Sequence, residues 1–198
     1  DLKMKHKNLP LLLLLALTLP AACKKESPGT FKYQEQPKEL KCQRPDMPLL
    51  YEAMHSFRED LAAHFDFKEL GTGTDLYYQN GYNQYIYRGS EGTFNLNQFT
   101  SPHTLTLVEK LKKADNLWVY DGEKYTLDYK ADFVHCLIRN IQNKTIRNML
   151  QTLNAHNSLA PKLMAELHRK NVNSIHQDQH YLMFIALDTY YQQLVSQQ

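Results

Sequence analysis

Leu9 to Leu19 is an eleven-residue apolar run with eight leucines, with Pro10 near its start and Pro20 just past its end. A helix of that length reaches about 16 Å, roughly half of a hydrocarbon core, so the run is too short to cross a bilayer. It also makes a poor core helix, because it has no polar face and prolines bracket it. Met4-Lys5-His6-Lys7 precedes it, and Ala21-Ala22 follows. A basic n-region, a short apolar h-region and a small-residue site together read as a secretory signal segment. Residues 1–22 are therefore set aside from the fold, and the rest of the chain is expected in an oxidising compartment.

Leu19-Pro20-Ala21-Ala22-Cys23-Lys24-Lys25 resembles the lipobox of bacterial lipoprotein precursors, in which Leu, a small residue and Gly or Ala precede the acylated Cys. Ala21, Ala22 and Cys23 match. Pro20 departs, with the usual Leu standing one place earlier as Leu19. The resemblance covers only the first two dozen residues. It implies cleavage before Cys23 and acylation of Cys23, palmitate included, with more than one chain holding the protein to a membrane. Lys24 then favours the periplasmic face of the outer membrane. Ordinary cleavage after Ala22 is the competing reading, and Pro20 suits it no better.

Cysteine parity agrees with that resemblance. If Cys23 is acylated, Cys42 and Cys136 remain as an even pair. A bridge between them would close a long loop and contribute about 4.5 kcal/mol on the chain-entropy account. The alternative is a buried Cys136 and a free Cys42 thiol. Charge is uninformative beyond the leader. Lys3, Lys5 and Lys7 against Asp1 account for the whole formal charge of +2. A neutral remainder has no electrostatic reason to bind nucleic acid.

The mature chain is expected to begin with a polar tether over residues 23–45, containing Pro28, Pro37 and Pro45. A single globular domain, residues 46–198, follows. Asp46 can cap a helix whose apolar face is Leu50, Met54, Phe57, Leu61 and Phe65. Asn80-Gly81 between Asp75–Gln79 and Tyr82–Arg88 predicts a type I′ hairpin, extended by a third strand through Phe94 and Leu96. Asp121-Gly122 predicts a second hairpin within 116–129. Helices are expected over 104–114 and from Ala131 onward, with Pro161 opening one and Tyr181–Leu187 apolar nearly all round. The expected class is α+β, with a small antiparallel sheet from hairpins at about 75–98 and 116–129, packed with N-terminal and C-terminal helices.

Three groups of residues invite chemistry. His176 and His180, placed i and i+4 on a helix, can share a metal, although Gln177 stands where a zinc protease needs Glu and no third ligand is evident. His55-Ser56 and His64-x-Asp66 fall on the side of the first helix expected to face solvent, with no nucleophile elbow nearby. Tyr77, Tyr78, Tyr82, Tyr85 and Tyr87 crowd eleven residues of the expected hairpin, where rigid amphipathic rings suit partner contact as well as cross-strand pairing. On the contact reading, exchanging Tyr82 and Tyr85 for Ser weakens a complex without unfolding the domain. No motif calls for a cofactor. The sequence thus reads as a lipid-anchored, non-catalytic module that binds another envelope protein as an assembly factor, inhibitor or immunity protein. The opposing reading is a periplasmic enzyme such as a cell-wall hydrolase, metal-dependent through His176 and His180.

Overall fold

The spacing of Leu50, Met54, Phe57 and Leu61 produces helix α1 (Met47–His64), and all four side chains are fully buried. Pro48 lies in its first turn, where no helical hydrogen bond is lost. Asp46 occupies the N-cap position without capping, because its carboxylate is held by Arg44, with Nη2 at 3.0 Å from Oδ2. The computed structural model describes residues 31–88 and 94–197. The expected signal segment, Cys23, the first part of the expected tether, residues 89–93 and residue 198 lie outside the described residues.

Asp75 to Arg88 is not a hairpin but helix α2. Asn80-Gly81 sits mid-helix, and Gly81 lets α2 pack directly on α1. A Cβ there would lie 3.0 Å from the Ala62 nitrogen. The tyrosines also carry a helical period. Tyr78, Tyr82 and Tyr85 recur at four and three residues, and Tyr82, Tyr85 and Ile86 are buried against α1. The expected third strand is absent from its described part, where Leu96–Gln98 forms a 3₁₀ turn.

Helix α3 (Pro102–Leu111) is capped by Ser101, whose hydroxyl accepts the Thr104 N–H at 3.2 Å. The hairpin within 116–129 forms. β1 (Trp118–Tyr120) and β2 (Tyr125–Leu127) pair antiparallel, with Trp118 opposite Leu127. Its loop spans four residues, 121–124, tied by Asp121 Oδ1 to the Glu123 and Lys124 N–H groups, with Gly122 at φ +99°. Helices α4 (Asp132–Asn140), α5 (Lys144–Ala155, capped by Asn143) and α6 (Pro161–Lys170) follow. The chain ends in α7 (Gln179–Ile185), a π-helical stretch (Ala186–Tyr191) and α8 (Gln192–Ser196), which continue one another without a break in helical dihedrals. This terminal rod is the core element. It packs on α1, α4 and β2, and Tyr181 to Tyr191 are all buried. The fold is α+β, mostly helical, with one two-stranded sheet.

The expected tether is docked from Phe31 onward. The buried Glu52 carboxylate accepts the Lys32 and Tyr33 N–H groups at 2.5 and 2.9 Å. Tyr51 Oη accepts the Leu40 N–H, and Gln179 bonds Glu39 N and Pro37 O. A disulfide joins Cys42 to Cys136 on α4, with Cα atoms 5.7 Å apart across 94 residues of chain. Leu40 and Cys42 belong to the core, so this segment is part of the domain.

Candidate functional site

Where α1, α2 and the first turn of α7 meet, they line a partly open cavity of about 80 Å³. Met54, His55 and Arg58 face it from α1. Asp75, Tyr78 and Tyr82 face it from α2, and His176, Gln179 and Leu182 close it. His55 and Arg58 stand three apart, and Tyr78 and Tyr82 four apart, so each helix brings one stripe to the same place. Arg58 lies over the Tyr78 ring, 4.3 Å from its centroid, while its Nη2 holds Glu59 at 3.0 Å. The Tyr78 hydroxyl donates to the same Glu59 carboxylate at 2.8 Å.

The residues around this cavity carry several unpaired polar atoms. Among the described residues, seven buried side-chain nitrogen or oxygen atoms lack a hydrogen-bond partner. Four of them belong to residues that line the cavity, although each atom is itself closed off from solvent: both ring nitrogens of His55, Arg58 Nε and His176 Nδ1. Buried polar groups are paired nine times in ten or better, so such a concentration is unusual. His55 is 2 % exposed, against the expectation of a solvent-facing His55-Ser56. Burial, then the charge of Arg58, pushes the His55 pKa down to about 4, partly opposed by the nearby Pro37 carbonyl. The imidazole is therefore neutral, with one donor and one acceptor nitrogen. A larger open cleft of about 360 Å³ lies between α4 and α5, but Lys130, His135, Arg139 and Gln151 on its rim are all exposed side chains.

The His176 and His180 pair does not form. The helix begins at Gln179, with Asp178 as its cap, so the two histidines do not share a helical face. His180 Nε2 accepts the Lys41 N–H at 3.0 Å, which places its proton on Nδ1, toward Asp178 Oδ1 at 3.5 Å. Among the described residues no group of three or more His, Cys, Asp or Glu is placed to hold a metal ion. Of the five tyrosines, Tyr77, Tyr82 and Tyr85 are buried and Tyr78 is half-buried. Tyr87 alone among them is exposed, at 60 %. They do not make a single contact surface. Tyr85 instead bonds Thr189 at 3.1 Å inside the core.

The buried carboxylates of Glu52, Asp60 and Asp178 are committed to the fold. Asp60 accepts from Tyr190 Oη at 2.8 Å and Thr104 Oγ1 at 2.5 Å. Asp178 caps α7 and accepts the Gln142 N–H at 2.6 Å. Glu52 also holds His103 Nε2 at 2.6 Å. Asp188 differs. It lies on the π-helical stretch, one oxygen accepts from the Tyr129 hydroxyl, and Oδ2 has no partner. Burial pushes its pKa up to about 7.

Sequence reasoning missed Arg58, Asp75 and Gln179. Their link to His55 and Tyr78 becomes visible only when residues 75–88 are read with a helical period. No family model, curated protein or solved structure matches this chain.

Proposed function

We propose that this protein is exported and held by lipid on Cys23 at the periplasmic face of the outer membrane. There its domain acts as a non-catalytic module that binds another envelope protein, as an assembly factor, inhibitor or immunity protein. One observation carries the reading. The Cys42–Cys136 disulfide leaves Cys23, which follows Leu-Pro-Ala-Ala, as the single cysteine of the chain outside the pair. Disulfides persist in oxidising compartments, the destination to which a signal segment sends a chain. The binding role is supported by the buried carboxylates Glu52, Asp60 and Asp178, whose oxygens are spent on the protein's own donors. The partner surface is drawn from what remains accessible. Leu76 and Tyr87, each 60 % exposed, lie three helical turns apart on one face of α2.

The test is a photo-crosslinker placed at position 87, and separately at 76, in the native cell envelope. One discrete adduct with an envelope protein is expected. Lipidated protein that yields no adduct from either position contradicts the partner assignment. Cys23→Ser is expected to move the protein from the membrane fraction to the soluble one.

A further inference from the structure

We propose that the groove running from the outer face of the β1–β2 hairpin to the seam between α4 and α5 docks an extended, acidic peptide segment of a partner protein. This goes beyond lipid anchoring and the α2 contact, uses a different surface, and rests on neither.

The groove has two halves. One, of about 290 Å³, is walled by Val119 and Thr126 of the hairpin, by Leu127 and Tyr129, and by Leu159 beyond α5. Val119 and Thr126 stand opposite each other in the antiparallel register, so both side chains leave the hairpin on the same face. Val119 stays 47 % exposed there, an apolar side chain beside an open pocket. The other half is the cleft of about 360 Å³ between α4 and α5. Lys130 and Asn154 line both, so the halves are continuous. Asn154 Nδ2 also donates to the Tyr129 carbonyl at 3.0 Å, and the Tyr129 hydroxyl donates to Asp188, which fixes the wall between them.

Charge selects the occupant. His135 and Arg139 stand four apart on α4 and bring one stripe to the cleft beside Lys130, and no carboxylate lines that half. The ion pairs among the described residues involve neither Lys130 nor Arg139. Two unspent cations on one side attract carboxylates. Asp128, on the apolar half, repels them. Acidic residues are thus directed to the α4–α5 end, and an apolar side chain to the space among Val119, Tyr129 and Leu159. Gln151 in one half and Asn157 in the other each carry an amide that both donates and accepts. An extended peptide backbone offers partners for both along its length, and an acyl chain offers none. The exposure of Lys130, His135, Arg139 and Gln151 suits a groove that receives a chain from solvent.

The test is fluorescence anisotropy on the purified full chain at pH 7.5, with fluorescein-labelled, end-blocked peptides. Ser-Leu-Ser-Glu-Glu-Ser and Ser-Glu-Glu-Ser-Leu-Ser probe the two chain directions, and the same pair with Lys for Glu are the controls. At least one acidic peptide is expected to bind with a Kd below about 1 mM, about tenfold or more tighter than its lysine counterpart, and to weaken as salt rises. Lys130→Glu combined with Arg139→Glu is expected to weaken it at least about tenfold in a protein that melts as the native one does. If that variant does not fold, Lys130→Gln with Arg139→Gln replaces it, with a loss of at least about threefold expected. Leu76→Ser and Tyr87→Ser on α2 are expected to leave the affinity unchanged, which separates this groove from the α2 contact. Binding of neither acidic peptide at about 1 mM, equal affinity for the lysine peptides, or undiminished affinity in the folded charge variant overturns the proposal. Octanoate that displaces the acidic peptide at the peptide's own Kd or below means an amphiphile site, and also overturns it.

Discussion

Gly81 on α2 lies against the backbone of Ala62 on α1, so close that a Cβ on Gly81 would sit 3.0 Å from the Ala62 nitrogen and 3.1 Å from its Cα. That contact is with backbone, which cannot rotate away. Gly81→Ala should therefore destabilise the domain by about 1–3 kcal/mol, although alanine is the better helix former by about 1 kcal/mol. Urea unfolding of the two proteins measures the difference. An alanine variant as stable as the native protein would show that the two helices do not approach this closely.

The same glycine explains what the sequence concealed. Asn-Gly between tyrosine-rich segments has strong turn chemistry, and tyrosine favours strands, so local preference points to a hairpin at 75–88. Tertiary packing decides otherwise. Tyr82, Tyr85 and Ile86 bury against Phe57 and its neighbours only if the segment is helical, and the small residue is needed at the crossing. By contrast, the pattern of Leu50, Met54, Phe57 and Leu61 and the apolar Tyr181–Leu187 stretch were legible, because burial alone sets them.

Tyr85 and Tyr87 should separate core from surface. Tyr85→Ala removes a fully buried ring that packs on Phe57 and bonds Thr189, and should cost about 3–5 kcal/mol. Tyr87→Ser should change stability by no more than about 0.5 kcal/mol. Exchanging Tyr82 and Tyr85 for Ser therefore tests the core rather than a contact surface. Thermal melts of the single variants decide this. Equal effects at 85 and 87 would argue against a helix here.

The disulfide closes 94 residues, and its removal in the double variant Cys42→Ala, Cys136→Ala should lower stability by about 4.5 kcal/mol. For a domain of this size that is a melting-temperature loss of roughly 10–15 °C. Calorimetry of native and variant protein gives the value. A loss under about 1 kcal/mol would mean that the docked segment 31–46 holds by its hydrogen bonds alone.

Asp188 should make stability fall as pH rises. Burial lifts its pKa to about 7 in the folded state, from an ordinary value of 3.8. Between about pH 4 and 7 the folded protein holds a proton that the unfolded chain releases, so stability declines across that window and stays lower above it. Asp188→Asn should remove this decline and be more stable than the native protein at pH 8, with the two converging near pH 4. His55 and His168 act in the opposite sense. Burial lowers them to about 4 and about 3, so they cost stability as pH falls below about 6.5 in both proteins and cancel in the difference. Urea midpoints from pH 4 to 8 measure that difference. A flat difference would show that Asp188 titrates normally.

The polar cavity was illegible for a related reason. His55 lies on an amphipathic helix where a histidine reads as solvent-facing, and the arrival of α2, the start of α7 and the docked segment at Tyr33 and Pro37 buries it beside Arg58. No spacing within one element encodes that meeting. His176 and His180 show the converse. Their i, i+4 spacing is real in sequence, yet the cap at Asp178 starts the helix too late for both to share a face.

The most direct test of the account is intact mass spectrometry of the protein purified from the membrane of its own cells, with and without reduction. An N-terminus at Cys23 carrying acyl groups is expected, with a further gain of two hydrogen atoms when the Cys42–Cys136 disulfide is reduced. A chain that retains residues 1–22, or begins at an unmodified Cys23, with all cysteines reduced, would contradict it.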